Sequence, residues 1–250
     1  MTKNELIDMA NNGDVEAMLQ LADIYVEEQD WNAATDWADK AAKTFDVDGL
    51  YKAAMLHDLR VSIFMRKGLP FWLALEDEIR AVKEDVGILI EFDNQGMLEL
   101  DAAVCTNLRR MQREALYGEA IAAYYKSDDE SEHEKVVQLL KDANGSRERT
   151  LWGLCCFTTK RYDDAIHAWK VVCDDEAYTH AKKTPYEERC YAVAMVVFSE
   201  LTRREGNIDK AVSILKNGIT AVSDEGMKES LWTEVRKYQR SAFGGWKYVG

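Results

Sequence analysis

The sequence predicts an all-α protein in which repeated helix hairpins stack as an α-solenoid. Between Gly13 and Lys43, small and large apolar residues recur at helical spacing on two segments that a short polar turn separates. The chain of 250 residues contains only two prolines and 14 glycines, and it shows hardly any of the alternation that is typical of β-strands. An apolar content of 47% is enough to fill a sizeable core.

Each helix of the first predicted hairpin carries one apolar face. The residues that share these faces are Ala17, Leu21 and Tyr25 on the first helix and Ala34, Trp37, Ala38 and Ala41 on the second. Two helices cannot bury such stripes by themselves, so neighbouring hairpins must cover them.

The other helices follow from the same spacing and from residues that begin or end helices. The predicted N-terminal caps are Asp14, Asp30, Ser131 in a capping box with Glu134, and Thr184 in a capping box with Glu187. A helix is expected to end at Gly68 and the next to begin at Pro70. The predicted helices are Asp14–Glu28, Trp31–Thr44, Asp48–Arg66, Pro70–Phe92, Gln95–Lys126, Ser131–Asn144, Ser146–Thr159, Tyr162–Asp174, Pro185–Arg204, Ile208–Val222 and Asp224–Arg240, with a short one near the N-terminus.

The hairpin residues resemble the tetratricopeptide repeats (TPR) and the related Sel-one-like repeats, whose unit is two antiparallel helices in roughly 34 residues. The matching positions are Leu21, Ala22, Tyr25, Trp31, Ala34 and Ala41 in a first copy, and Trp152, Gly153, Tyr162, Ala165 and Trp169 in a second. A third copy is Asn207–Val212, and a weaker fourth is Ser131–Ala143. The proline that ends helices in this family is absent from every copy. The resemblance implies a TPR-like right-handed superhelix.

No linker rich in proline or serine divides the chain, so a single TPR-like α-solenoid over residues 1–250 is expected. Its clearest repeats are predicted at 14–44, 115–144, 146–174 and 186–222. Residues 48–126 are predicted to form longer, irregular helices, which are either degenerate repeats or an inserted interface. The aromatic tail, 242–250, either caps the last helix pair or contacts a partner.

The net charge of −13 is unevenly distributed. Residues 1–50 carry twelve acidic and three basic side chains, a net charge of −9, whereas residues 226–250 have a net charge of +3. Because an acidic surface repels phosphate backbones, direct nucleic-acid binding is disfavoured and a basic partner remains possible.

Cysteine usage and the lack of an apolar leader indicate a cytoplasmic protein. Glu5 and Asp8 lie where a signal peptide needs an apolar run, and the longest apolar run, Tyr191–Phe198, is too short to span a bilayer. The five cysteines lack CxxC spacing and are expected to be reduced thiols, although a redox role for the adjacent Cys155 and Cys156 is an alternative.

Motifs for catalysis or metal binding are not recognisable. The sequence has no nucleophile elbow, P-loop or glycine-rich dinucleotide motif. His133 and Glu134 begin like a zinc-protease motif, but Val137 occupies the position of the second histidine. We therefore expect no enzyme activity, no metal and no cofactor, with an enzyme of unfamiliar site as an alternative.

The resemblance implies that the first helix of each repeat lines a concave face that takes the ligand. By position, the candidate partner-binding residues are Glu16, Asp23, Glu27, Tyr125, Asp128, Arg147, Thr150, Leu154 and Phe157. The alternative is that the charged residues form a solvated helix face and that Leu154 and Phe157 belong to the core.

The sequence thus predicts a non-enzymatic scaffold or adaptor that binds a protein or peptide, possibly basic, in an acidic concave groove. The alternative function from the same fold is an acidic inhibitor, or immunity-type protein, that neutralises a basic toxin or a nucleic-acid-binding partner.

Overall fold

The computed structural model describes residues 1–67, 72–241 and 244–250. These residues form two compact units: Met1–Phe64 with Leu69–Glu119, and Met65–Gly68 with Ala120–Gly250. The predicted break between Gly68 and Pro70 lies outside the described residues, as do residues 242 and 243 of the tail.

Helices make up almost all of the described structure. In chain order they are α1 (Lys3–Asn11), α2 (Val15–Glu27), α3 (Trp31–Ala42), α4 (Val47–Lys67), α5 (Trp72–Asn94), α6 (Ala102–Lys126), α7 (Glu130–Leu140), α8 (Ser146–Thr158), α9 (Tyr162–Asp174), α10 (Glu176–His180), α11 (Pro185–Arg204), α12 (Ile208–Ala221) and α13 (Glu225–Val235). Two short strands, β1 (Tyr238–Arg240) and β2 (Trp246–Tyr248), pair antiparallel after the last helix.

The predicted all-α fold with packed helix hairpins is confirmed. Helices α2 and α3 pack together in the first unit, as do α8 with α9 and α11 with α12 in the second. The two aspartates predicted to cap the first hairpin do so: Ala17 N donates to Asp14 Oδ1 over 3.0 Å, and Ala33 N donates to Asp30 Oδ1 over 3.1 Å. These caps satisfy amide groups at the helix starts that would otherwise lack partners.

The predicted helix Gln95–Lys126 is wrong over its first seven residues. Helix α5 ends at Asn94, where Gly96 adopts a positive φ of 69° and Met97 N donates to Phe92 O over 2.9 Å. This left-handed glycine ends a helix at little steric cost. Helix α6 then begins after Asp101, whose carboxylate accepts a hydrogen bond from Val104 N over 2.8 Å.

One of the two predicted capping boxes differs from the structure. The capping box of Ser131 and Glu134 is wrong, because Asp129 caps α7 instead and accepts a hydrogen bond from Ser131 N over 3.1 Å. The box of Thr184 and Glu187 is confirmed, with Glu187 N donating to Thr184 Oγ1 over 3.3 Å. Helix α10, of only five residues, was not predicted.

The C-terminal segment does not continue as the predicted helix to Arg240. Helix α13 ends at Val235, and Tyr238–Arg240 pairs with Trp246–Tyr248. The hairpin lies on neighbouring helices: Trp246 N donates to Asp209 Oδ1 on α12 over 3.0 Å, and the Arg203 guanidinium of α11 lies 4.2 Å from the centre of the Tyr248 ring. The described part of the tail therefore packs on the last helix pair.

In the described ranges, no helix combines the length and the apolar character that crossing a membrane requires.

Candidate functional site

An apolar groove runs between α11 and α13 in the second unit. Its volume is about 440 Å³. The apolar side chains that line it are Ala192, Val193, Val196 and Val197 of α11 and Met227 and Leu231 of α13. Arg189, Asp224, Gly226 and Ser230 complete the lining. Val193 is 43% exposed although it is aliphatic, so the groove presents apolar surface to solvent.

The apolar run of α11 has two faces with different surroundings. Tyr191, Met195 and Phe198 are buried in the core, where the Phe198 ring lies 6.0 Å from the Trp169 ring. The valines of the same run face the groove. The two sets lie on different faces of one helix. Because the first set is buried in the core, the valines point away from the core and toward the groove.

Both walls of the groove are held in place by capped helix starts and by core contacts. On the α11 side, the Ser199 hydroxyl donates to Ala211 O on α12 over 2.9 Å. On the α13 side, Met227 N donates to Asp224 Oδ1 over 2.8 Å, and Leu231 is fully buried at the groove floor. The groove is therefore formed by packed helices rather than by loops.

A second hollow adjoins the groove at the start of α11. Its volume is about 500 Å³. Its lining residues are Arg66, Lys182, Lys183, Thr184, Pro185, Glu188 and Ser223. Glu188 and Ser223 directly precede the groove residues Arg189 and Asp224 in the chain, so the two hollows are neighbours.

Lys183 is the buried cation of the second hollow, with 7% of its surface exposed. Its ammonium donates to Tyr178 O over 2.6 Å and lies within hydrogen-bonding distance of Thr179 O, Ala181 O and Ala221 O, at 3.2, 3.3 and 3.4 Å. Burial lowers the pKa of Lys183, and the negative charges of Glu187, Glu188 and Asp175 oppose this shift. The ammonium thus joins the C-terminal ends of α10 and α12, where helix dipoles favour a positive charge.

The buried Glu188 carboxylate is also satisfied. Its Oε1 accepts hydrogen bonds from Ser223 N over 2.7 Å and from the Ser223 hydroxyl over 2.5 Å. These hydrogen bonds connect α11 to the segment that precedes α13. The same contact therefore helps to position the residues of both hollows.

Three of the predicted partner-binding residues lie on α2 in the first unit. Glu16, Asp23 and Glu27 are all exposed. Glu16 accepts a hydrogen bond from Gln20 Nε2 over 3.0 Å, and Asp23 forms an ion pair with Lys52 of α4. The three side chains therefore form an exposed acidic face on α2, in which Lys52 partly neutralises the charge of Asp23.

The four predicted residues on α8 do not line the groove. Thr150 is 1% exposed and Leu154 is 3% exposed, because α7, α9 and α11 all pack on α8. The Thr150 hydroxyl donates to Ser146 O over 2.7 Å. Half-buried Phe157 lies against Tyr162, with ring centres 5.5 Å apart. Leu154 is therefore a core residue, and Thr150 is closed to a partner.

Arg147 of α8 and the two remaining predicted residues, Tyr125 and Asp128, are also outside the groove. Arg147 Nε donates to Glu148 Oε1 over 2.7 Å. Tyr125 is half-buried, with its hydroxyl 3.7 Å from Cys190 Sγ and its ring centre 5.3 Å from that of Tyr186. Asp128 is exposed in the turn before α7.

Sequence reasoning missed the α11 side of the groove. The available signal was Tyr191–Phe198, which is apolar on every face of a helix and therefore must either be buried on all sides or present apolar surface. The length of this run argues against a membrane span, but it does not indicate which of its residues remain exposed.

A buried titratable cluster lies in the first unit, around His57. Its Nδ1 donates to Glu78 Oε2 over 2.5 Å and its Nε2 donates to Asp39 Oδ1 over 2.9 Å. Burial lowers the pKa of His57, but the hydrogen bonds and charges of the two carboxylates outweigh it and raise the pKa to about 9. With both ring nitrogens bonded, the imidazolium joins helices α3, α4 and α5 and has no free position for a substrate.

Neither the cysteines nor the acidic residues form a recognisable reactive centre. All five cysteines are free thiols, and burial raises the pKa of Cys156 and of Cys190 to about 12. Such thiols remain protonated near neutral pH and are weak nucleophiles. Across the part of the chain that the structure describes, no three His, Cys, Asp or Glu side chains come together as a metal site.

Comparisons with known proteins give a fold likeness. No protein-family model matches the chain, and no curated protein matches it. Among solved structures, the chain is similar to that of YrrB, described as a TPR protein with an unusual peptide-binding site. The sequence identity is 12%, the match covers 93% of this chain and 98% of that one, and the TM-score is 0.49.

Proposed function

We propose that this chain is a protein-interaction scaffold that binds an apolar segment of a partner protein in the groove between α11 and α13. The observation that carries the proposal is the row of α11 side chains, of which Val193 is 43% exposed, facing Met227 and Leu231 of α13. Burying this surface against apolar partner side chains would release ordered water and contribute roughly 25 cal/mol per Å².

The groove suits an inserted segment better than a flat contact. It lies between two helices that both pack on α12, so its shape exists before a partner arrives. A preformed groove avoids the entropy loss of ordering the binding surface. Apolar anchors flanked by polar groups are the usual arrangement of helix-lined peptide sites.

The experiment compares Val193→Glu with Val171→Glu. Val171 is a matched control, because it is an exposed valine on a helix, 38% exposed, and does not line the groove. Purified wild-type and variant proteins are used as baits in native cell extract, and captured proteins are quantified by mass spectrometry. We expect a partner whose capture falls at least about tenfold with Val193→Glu and changes little with Val171→Glu. Equal capture by all three baits would contradict the proposal.

A second candidate surface is the acidic face of α2, which suits a basic partner and thus an inhibitor that neutralises such a partner. Glu16, Asp23 and Glu27 are exposed there, within a segment of net charge −9. This surface lies in the first unit, so its role can be tested separately from that of the groove.

A reducing, cytoplasmic setting is part of the proposal. It is supported by five free thiols, of which Cys155, Cys156 and Cys190 are buried.

A further inference from the structure

The two neighbouring hollows of the second unit are more positive than the chain as a whole. Arg66, Lys182 and Arg189 are exposed, and none of them forms an ion pair with another residue that the structure describes. The Lys183 ammonium adds a fourth positive charge. The lining also holds two carboxylates, Glu188 and Asp224, in a chain whose net charge is −13. Outside the lining, the charges of Glu187 and Asp175 also act on Lys183.

Both carboxylates are already bonded within the fold. Glu188 accepts hydrogen bonds from Ser223, and Asp224 accepts one from Met227 N. The three exposed cations, by contrast, are available to a ligand. Positive charge is therefore available to a partner beside the apolar groove, whereas the negative net charge of the whole chain repels anions elsewhere.

Resting on the proposed function, we infer that the partner segment is an acidic peptide in which apolar side chains precede or follow carboxylate side chains. The apolar part occupies the groove between α11 and α13. The carboxylates lie beside Arg189 and reach into the second hollow toward Lys182 and Arg66. For this site, the charge of the lining reverses the sequence-based expectation of a basic partner.

The first experiment needs no known partner. A library of random peptides about twelve residues long is displayed and selected on the full-length chain. We expect enriched peptides in which Leu, Ile, Val or Met adjoin Asp or Glu. Enrichment of basic peptides, or of apolar peptides without acidic residues, would overturn the inference.

The second experiment measures binding of the most enriched peptide to charge-reversed variants. The double variant Lys182→Glu, Arg189→Glu should bind it at least about tenfold more weakly, because both changes place negative charge beside its carboxylates. The matched control is Lys141→Glu, Lys170→Glu, two exposed lysines outside both hollows with the same change in net charge. Equal weakening by both double variants would overturn the inference, since net charge alone would then explain it.

One outcome separates this inference from the proposed function. If selected peptides lack acidic residues but lose binding with Val193→Glu, the groove binds peptides and the inference about charge fails. If no peptide is enriched, both fail. Circular dichroism of each variant verifies that it is folded.

Discussion

Gly153 of α8 lies against the indole ring of Trp169 of α9, so close that a Cβ atom built on Gly153 would come within 2.8 Å of Trp169 Cε2. The indole is fully buried, and its Nε1 donates to Thr150 O over 3.3 Å. A side chain at Gly153 would have to displace this ring, which lies against the rings of Phe157 and Phe198.

Gly153→Ala should therefore destabilise the protein by about 1–3 kcal/mol through overpacking, and Gly153→Leu by more. Thermal or urea denaturation followed by circular dichroism measures this. The matched control is Gly87→Ala in the middle of α5, where a Cβ would meet nothing within 4 Å. That change should stabilise by up to roughly 1 kcal/mol, because alanine favours helix. Equal melting temperatures for all three proteins would contradict the close contact.

The contact of Gly153 with Trp169 could be predicted because it depends on local sequence. The two residues lie on consecutive helices joined by a short turn, and both belong to the second predicted repeat copy. Helix caps at Asp14, Asp30 and Thr184 are local for the same reason.

The groove could not be predicted in this way, as Leu154 and Val193 illustrate. Both are aliphatic residues on the first helix of a hairpin. Leu154 is covered by other helices of the second unit, whereas Val193 faces a gap between α11 and α13. Which face remains open depends on how successive hairpins pack, and this is decided by contacts between residues distant in sequence.

The short elements α10 and β1 could not be predicted from the sequence for a similar reason. Helix α10 is too short to show a periodic pattern, and the three residues of β1 gain their strand conformation by pairing with β2. Neither signal exists in the local sequence alone.

The ion pairs of His57 predict that the free energy of unfolding decreases at alkaline pH. The pKa of His57 is raised from 6.5 to about 9 in the folded protein. Because the pKa is higher in the folded protein than in the unfolded protein, the charged imidazole stabilises the fold. This stabilisation is complete below pH 6.5 and is lost as the pH rises through about 9. His57→Gln should therefore destabilise the protein at neutral pH, by on the order of 1–3 kcal/mol, and the difference from wild type should shrink above pH 9.

Urea denaturation at a series of pH values measures this difference. The control is His167→Gln, since His167 is exposed on α9. Asp85, whose pKa burial raises to about 6, titrates below the window in which the His57 difference should change. A His57→Gln difference that is constant from neutral to strongly alkaline pH would show that the imidazole is not charged.

The hydrogen bonds of the Lys183 ammonium are expected to contribute to the free energy of unfolding. Lys183→Met retains much of the aliphatic stem but leaves the carbonyl oxygens of Tyr178 and Ala221 without this donor. The expected loss is about 1–3 kcal/mol, measured by urea denaturation. Lys182→Met is the control, because Lys182 is an exposed neighbour with the same side chain. If both variants have the same stability as wild type, the ammonium does not hold the ends of α10 and α12.

The five thiols should differ in reactivity toward iodoacetamide. Cys105 is only half-buried and should be alkylated first, whereas Cys155 and Cys190 are fully buried. Burial also raises the pKa of Cys155 and of Cys190, so that little thiolate exists to react near neutral pH. Peptide mass spectrometry at successive times gives the order, and the intact mass should correspond to five reduced thiols. Rapid modification of Cys190, or a mass showing a disulfide, would contradict the packed core around α8 and α11.

Charge reversal on α2 tests whether its acidic face binds a basic partner. Asp23→Lys, Glu27→Lys should weaken capture of such a partner and flatten its salt dependence, because attraction between exposed charges acts over a Debye length of about 8–10 Å. The control is Asp142→Lys, Asp174→Lys, which makes the same change in net charge at exposed positions of the second unit. The measurement is the dissociation constant of the captured partner at several salt concentrations. If the α2 variant binds as tightly as wild type with the same salt dependence, Glu16, Asp23 and Glu27 form only a solvated helix face.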